Sequence, residues 1–171
     1  MDRYAAFLRG INLGPSNKIA MPALRDLAER LGYTEVRTYI NSGNLIFTAA
    51  GSDRQLSEAI HQGIRHDFGL DIDVAVRTGE QLRDVLAGNP YPDGDPSRVT
   101  VAFLVGPPPA DVEQRLAAVA DEPYVCADRE VWVNYTRGQA GSRLAAQFSR
   151  VVGVSATVRN VRTLAKVVDL L

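Results

Sequence analysis

The sequence contains a single cysteine, Cys126, and no pairing of cysteine and histidine at the spacing of a zinc site. An internal disulfide is therefore excluded, and we expect a cytoplasmic protein with no metal and no cofactor. The sequence also has no apolar run near the roughly 20 residues that a membrane-spanning helix needs. Residues 1–9 include three charged side chains and so do not form a secretory signal. We expect no membrane association.

An excess of basic residues is lacking as well, since 19 Lys and Arg stand against 20 Asp and Glu, for a net charge of −1. Proteins that wrap nucleic acid depend on many contacts between basic side chains and phosphates. Nucleic acid is therefore not expected as a partner. The net charge does not exclude a local basic patch that binds a small anion. The 46% of apolar residues is ordinary for a globular protein.

Apolar periodicity and capping residues predict the order βαββαβ followed by an extra helix in the first half of the chain. The two later helices each begin with a capping-box pattern, formed by Ser52 with Gln55 and by Thr78 with Gln81. The other predicted elements are a strand at Tyr4–Leu8, a helix opened by Pro22 and ended by Gly32, a hairpin of Val36–Ile40 and Leu45–Thr48 about the turn 41–44, and a strand at Ile72–Val76.

After a proline-rich and glycine-rich linker at residues 89–96, the same order returns. The predicted elements are a strand at Val99–Val105, a helix opened by Pro109, strands at Tyr124–Ala127 and Val131–Tyr135, a helix ended by Gly153, a strand at Ala156–Val158 and a last helix.

Short stretches of the two halves also match residue for residue. Ala6-Phe7-Leu8-x-Gly10 corresponds to Ala102-Phe103-Leu104-x-Gly106, and Val76-Arg77 corresponds to Val158-Arg159. We predict an α+β fold of duplicated ferredoxin-like βαββαβ halves, each followed by an extra helix, at residues 1–88 and 97–171. Because the first strand of the second half is apolar at every position but Thr100, both faces of its sheet should be covered.

Alignment of the halves exposes a longer loop after the first strand. Matched residues of the first strands are 96 positions apart in the two halves, whereas the prolines expected to open the following helices are 87 positions apart. The difference predicts nine extra residues within Arg9–Lys18 of the first half. Loops longer than their fold requires are often functional. Arg9 and Lys18 supply charge, Gly10 lets backbone N–H groups approach a ligand, and Asn12 supplies polar contacts. The loop is either a cradle for an anion or an ordinary surface loop rich in turn-forming residues.

Two further polar segments lead into helices in the second half. Ser142 and Arg143 stand at a helix start, where free N–H groups favour a phosphate or carboxylate, although a plain helix cap explains Ser142 equally. Arg159 and Asn160 stand at another, where Asn160 is the predicted cap. Arginines at such strand ends often satisfy local carbonyl or carboxylate groups instead of binding ligands.

The sequence shows no catalytic arrangement, and catalytic residues stay unassigned. His61 and His66 are five residues apart and so do not share a helix face, which argues against a metal pair. Three functions remain open: binding of a phosphorylated or otherwise anionic small molecule such as a nucleotide, an enzyme acting on a small polar substrate, and a protein-interaction domain without a ligand. The oligomeric state is not determined by these patterns.

Several short segments carry a further signal: residues 6–14, Asn17-Lys18-Ile19 with Met21, Leu31-Gly32-Tyr33, residues 36–44, Ser142-Arg143-Leu144 and residues 156–160. Together they resemble the uncharacterised bacterial domain-of-unknown-function family 1697. The resemblance implies a duplicated ferredoxin-like fold and supplies no activity, substrate or catalytic residue. This sequence departs from the usual pattern at Gly14-Pro15-Ser16, at Arg143 and at Val161. The predicted ligand-binding set is Arg9, Gly10, Asn12, Lys18, Asn41, Ser42, Asn44, Ser142, Arg143, Arg159 and Asn160.

Overall fold

A computed structural model describes residues 1–171 as eight strands and six helices. None of the helices combines the length and the apolar character needed to cross a bilayer. The first seven elements are β1 (Asp2–Leu8), α1 (Met21–Arg30), β2 (Thr34–Tyr39), β3 (Asn44–Ala49), α2 (Asp53–Phe68), β4 (Val74–Thr78) and α3 (Gly79–Ala87). The other seven are β5 (Val99–Leu104), α4 (Val112–Val119), β6 (Tyr124–Cys126), β7 (Glu130–Asn134), α5 (Arg143–Val152), β8 (Ala156–Asn160) and α6 (Val161–Leu170).

The chain divides into two compact units. The first comprises Met1–Val85 with Lys166–Leu171, and the second comprises Leu86–Ala165. Helix α6 thus begins in the second unit and ends in the first, where Nη2 of Arg3 donates a 3.1 Å hydrogen bond to the carbonyl of Leu170. Residues 89–96 belong to the second unit, and the carbonyl of Pro96 accepts the N–H of Arg162.

Each unit contains one antiparallel four-stranded sheet, in the orders β2-β3-β1-β4 and β6-β7-β5-β8. The pairing registers are equivalent. Ala6 lies opposite Leu45 and Val76, while its counterpart Ala102 lies opposite Val131 and Val158. Because a shift of one residue would turn every side chain to the other face, this agreement shows that the duplication extends to side-chain placement. The predicted duplicated ferredoxin-like α+β fold is confirmed.

Strand β1, at the centre of the first sheet, is buried on both of its faces. Tyr4, Ala6 and Leu8 of β1 join the core formed with α1 and α2. Ala5 and Phe7, which point to the other face, are fully buried as well. On the core side the ring of Phe47 stacks on Tyr33 at a centroid distance of 4.5 Å and on Tyr4 at 5.8 Å.

The second sheet follows the same rule. Ala102 and Leu104 of β5 pack in a core with residues of α4 and α5, and Val101 and Phe103 on the opposite face have almost no exposed surface. Helix α5 is strongly amphipathic, with Leu144, Phe148, Val151 and Val152 buried along one side.

The predicted capping residues act as caps. Ser52 and Gln55 form the reciprocal pair of hydrogen bonds of a capping box at the start of α2, and Thr78 and Gln81 form another, of 3.1 and 2.8 Å, at the start of α3. At the start of α6 the side chain of Asn160 accepts the N–H of Thr163 at 2.8 Å.

Two predictions about the connections were wrong in detail. Pro109 does not open α4, because its carbonyl accepts the N–H of Val112 in a turn that precedes the helix. The connection between β1 and α1 therefore has 12 residues, 9–20, against the 7 residues 105–111 between β5 and α4. The first connection is longer by five residues, where the proline alignment predicted nine.

Candidate functional site

The longer loop lies at one end of the first sheet, beside the turn of the β2–β3 hairpin. Antiparallel pairing places the C-terminal end of β1 next to the N-terminal ends of β3 and β4, because Phe7 pairs with Asn44 and Leu8 with Val74. The backbone N–H of Leu8 donates to the carbonyl of Gly43 at 2.9 Å. We call loop 9–20 together with turn 40–43 the loop surface.

The side chain of Asn12 holds the loop surface together. Its Nδ2 donates to the carbonyl of Ile19 at 2.8 Å and to the carbonyl of Asn41 at 2.8 Å, while its Oδ1 accepts the N–H of Ile19 at 3.0 Å. Its backbone N–H donates to the carbonyl of Asn17 at 3.0 Å. One side chain therefore closes the loop on itself and ties it to a turn 29 residues away.

Left-handed backbone conformations are concentrated in the loop surface. Four residues of the chain other than glycine have positive φ, and three of them are Asn12 (φ 57°), Asn17 (φ 54°) and Ile40 (φ 49°). Asparagine adopts this conformation readily, whereas a β-branched residue such as isoleucine is strained there. Strain of this kind clusters at binding and catalytic sites, so the strained φ of Ile40 favours a functional role for the loop surface.

Two buried isoleucines anchor the loop against the core of the first unit. Ile11 and Ile19 are each only 1% exposed. Gly43 passes close to the first of them, because a Cβ on Gly43 would lie 2.7 Å from Cδ1 of Ile11 and 2.9 Å from Cβ of Leu8. The loop is therefore built onto the sheet and holds its exposed residues in defined positions.

The two cations of the loop, Arg9 and Lys18, lie at the protein surface. Nη1 of Arg9 lies 3.4 Å from Oδ2 of Asp73, and both side chains are more than 40% exposed. An exposed ion pair of this length contributes little to stability, at about 0–1 kcal/mol. The loop surface and Asp73 together carry two positive charges and one negative charge.

The three predicted residues of the hairpin turn differ in their surroundings. Asn41 is exposed and binds Asn12 through its carbonyl. Asn44 is completely buried, and its Nδ2 donates to the carbonyl of Tyr39 at 2.9 Å and to Oγ of Ser42 at 3.2 Å. The structure therefore brings these three residues together with Arg9, Gly10, Asn12 and Lys18 at one end of the first sheet.

Ser142 and Arg143 line a separate groove of about 440 Å³ at the start of α5. Ser142 caps the helix by accepting the N–H of Ala145 at 3.1 Å, and its hydroxyl also donates to the carboxylate of Glu122. Nη2 of Arg143 lies 3.3 Å from both carboxylate oxygens of Asp121. The groove lining thus pairs each of these predicted residues with a carboxylate of the same unit.

Arg159 and Asn160 form hydrogen bonds with nearby backbone groups. Arg159 is 9% exposed, and its Nη1 donates to the carbonyl of Val158 at 2.9 Å. Burial lowers the pKa of Arg159 to about 10. Arg77, its counterpart in the first unit, is 2% exposed and donates to the carbonyl of Val76 at the same distance of 2.9 Å. A matching bond in both halves indicates a structural feature inherited by duplication.

Tyr135 lies at the base of the loop that leads to α5, and the burial of its phenol can be tested by the pH dependence of unfolding. Burial, with a smaller effect from the Glu122 carboxylate, raises its pKa from 10.0 to about 12. The unfolded state therefore loses the phenol proton first as the pH rises, and we expect the free energy of unfolding to fall between about pH 10 and pH 12. Urea denaturation across this range should show a shallower fall for Tyr135→Phe than for the unmodified protein. Identical pH slopes for the two proteins would contradict the buried phenol.

The sequence patterns did not identify several residues of the loop surface and of the groove at α5. Asp73 is not among the predicted site residues, yet it pairs with Arg9 because β4 begins beside the end of β1. Glu122 and Asp121 were not singled out at all. Leu13 and Ile40, which are 81% and 50% exposed, also had no signal as surface residues. The strand pairing of the predicted ferredoxin-like fold could have located Asp73, because it places the start of β4 beside the end of β1.

Comparison with known proteins places the chain in an uncharacterised group. No functionally curated protein matches it. The structure of conserved bacterial protein SP0830 from Streptococcus pneumoniae is similar over 99% of this chain and 98% of its own, with 26% sequence identity and a TM-score of 0.76. The family described as "Protein of unknown function (DUF1697)" matches residues 1–132. Since this match covers most of the chain and agrees with the resemblance of the motifs, the chain belongs to the DUF1697 family.

Proposed function

We propose that the loop surface binds a phosphorylated or otherwise anionic small molecule through Arg9 and Lys18. The observation that supports this most strongly is a loop five residues longer than its counterpart, clamped by Asn12 and presenting two cations to solvent. Packing does not require the extra length, because the equivalent connection of the second unit does without it. A rigid loop that displays charge loses little conformational entropy when it binds a ligand.

The remaining predicted residues of this end support the binding surface in two ways. Gly10 has a φ of 64° and no neighbouring atom within 4 Å of where a Cβ would stand, so its backbone is open to a ligand. Asn12, Asn41, Ser42 and Asn44 hold the loop and the turn in place through the hydrogen bonds described above. In the proposal they are positioning residues.

The proposal concerns the first unit because the loop surface and the groove at α5 differ in net charge. The groove at α5 is lined by Arg137 and Arg143 but also by Asp121 and Glu122, so its lining has no net charge. The loop surface has two cations opposed by one exposed carboxylate. An anion is favoured where the nearby charges sum to a positive value.

The proposal predicts that removal of both cations abolishes most of the binding. We expect Arg9→Ala combined with Lys18→Ala to weaken the affinity for pyrophosphate, ADP or ATP roughly 100-fold, because each of the two lost charge-assisted hydrogen bonds contributes on the order of 1.5 kcal/mol. Asp73→Asn should strengthen binding, since it removes a carboxylate that competes for Arg9. Isothermal titration calorimetry at low salt measures each affinity.

Arg54→Ala is the matched control for this experiment. Arg54 is an exposed arginine at the start of α2, at the opposite end of the same sheet, and its removal changes the net charge without touching the loop surface. Its affinities should equal those of the unmodified protein. If none of the three probes binds, or if the double variant binds as tightly as the Arg54 control, the proposal is wrong.

We further propose that the protein acts in the cytoplasm. Its single cysteine cannot form an internal disulfide, and burial raises the pKa of the Cys126 thiol, with a smaller effect from the Glu113 carboxylate. The thiol form is thereby favoured over the reactive thiolate. This chemistry suits a reducing compartment.

A further inference from the structure

Two large apolar side chains of the loop surface are exposed. Leu13 is 81% exposed and Ile40 is 50% exposed, and few large hydrophobic residues of the chain are exposed to this degree. Both sit on backbone that is held by hydrogen bonds, since Leu13 follows Asn12 and Ile40 precedes Asn41. Apolar surface kept in water forgoes the stabilisation that burial would bring.

Leu13, Ile40 and Lys18 are neighbours in the chain of residues that Asn12 joins by hydrogen bonds. The side chain or backbone of Asn12 binds Asn17, Ile19 and Asn41 directly. Leu13, Lys18 and Ile40 are each one residue away from a member of this group. Because consecutive Cα atoms are about 3.8 Å apart, the backbone positions of these three residues lie within the length of a ligand of nucleotide size.

The backbone conformation of Ile40 supports an apolar contact at this position. Its φ of 49° is a strained value for a β-branched residue, and asparagine or glycine would occupy the position more easily. Turn 40–43 nevertheless presents an isoleucine there, next to the Asn41 carbonyl that Asn12 holds. An apolar contact at this position accounts for an isoleucine where local conformation favours a polar or small residue.

We infer that the ligand of the loop surface is a phosphate that carries a planar or apolar group, as a nucleoside phosphate does. This inference rests on the proposed function: Arg9 and Lys18 bind the phosphate, and Leu13 and Ile40 contact the base. Flat base surfaces are commonly held against apolar side chains, while basic side chains hold the phosphate. A bare inorganic anion would use the cations and leave both apolar residues in water.

The test compares ADP with pyrophosphate, which share the diphosphate and differ in the nucleoside. We expect the unmodified protein to bind ADP roughly tenfold more tightly than pyrophosphate, because the nucleoside buries apolar surface against Leu13 and Ile40. In the double variant Leu13→Ser with Ile40→Asn, this preference should disappear while the affinity for pyrophosphate stays unchanged. Both substitutions are at exposed positions, and asparagine tolerates the left-handed backbone at position 40.

Val125→Ser is the control for loss of an exposed apolar side chain elsewhere, since Val125 is 41% exposed on β6 in the second unit. It should keep the preference for ADP. Equal binding of ADP and pyrophosphate by the unmodified protein, or an unchanged preference in the double variant, would overturn this inference and leave the proposed function standing. Failure of both probes to bind would overturn this inference, and failure of ATP as well would also refute the proposed function.

Discussion

Replacement of Asn12 by alanine is expected to lower the free energy of unfolding by about 3–4 kcal/mol. The Asn12 side chain makes three hydrogen bonds of 2.8–3.0 Å to backbone groups of Ile19 and Asn41. Each contributes on the order of 1 kcal/mol, and an alanine in the left-handed region costs roughly 1 kcal/mol more. Thermal denaturation should show a fall of roughly 6–15 °C in Tm for a chain of this size.

Asn17→Ala separates the hydrogen bonds from the backbone effect. Asn17 is in the same loop with nearly the same φ, 54°, but its side chain has no counterpart of these three bonds. We expect this variant to lose only about 1 kcal/mol, the cost of a left-handed alanine. Equal losses for the two variants would show that the Asn12 side chain does not clamp the loop to the turn.

Replacement of Gly43 by alanine is expected to lower the free energy of unfolding by about 3 kcal/mol. The residue has a φ of 83°, and an added methyl group would lie 2.7 Å from Cδ1 of Ile11 and 2.9 Å from Cβ of Leu8. The side chain of Ile11 can shift, but Cβ of Leu8 is fixed by the backbone of β1. Backbone strain of about 1 kcal/mol adds to an overpacking cost of about 1–3 kcal/mol. Urea denaturation measures the change.

Gly63→Ala in α2 is the matched control. A methyl group there would also come within 2.7 Å of a neighbour, but all three of its closest contacts are with the side chain of Leu27, which can move. The helical backbone at Gly63 accepts alanine, which is favoured over glycine by about 1 kcal/mol inside a helix. This variant should therefore have nearly unchanged stability. A Gly43 variant as stable as the Gly63 variant would contradict the close approach of turn 40–43 to β1.

The local features of the fold were accessible from the sequence. Ser52 with Gln55 and Thr78 with Gln81 predicted helix starts correctly, because a cap involves residues only three positions apart. The duplicated βαββαβ order was also predictable, since apolar periodicity and short residue matches both reported it. Pro109 shows the limit of such signals. A proline is compatible with a helix start and with the turn before one, and only the hydrogen bond to Val112 distinguishes them.

The sequence patterns singled out a candidate loop but did not reveal how that loop is built. Loop length and composition pointed to residues 9–18, and the structure shows the loop anchored to the sheet there. The sequence patterns listed Asn12 as a ligand contact, and the structure adds that its side chain holds Ile19 and Asn41 by three hydrogen bonds. They gave no sign that Asp73 is the partner of Arg9. Residue type alone does not reveal such pairings, because an asparagine or an aspartate serves a ligand and a neighbour equally well.

The sequence by itself determined the order of strands and helices, the helix caps and the internal duplication, because these depend on residues a few positions apart and on repeated patterns. Only the tertiary structure decided which polar groups meet. Asn12 and Asn41 are 29 residues apart, and Arg9 and Asp73 are 64 apart, so their contacts depend on how β1 pairs with β3 and β4. Strand register, a property of the folded sheet, therefore converts a polar loop into a surface with cations and apolar side chains in defined places.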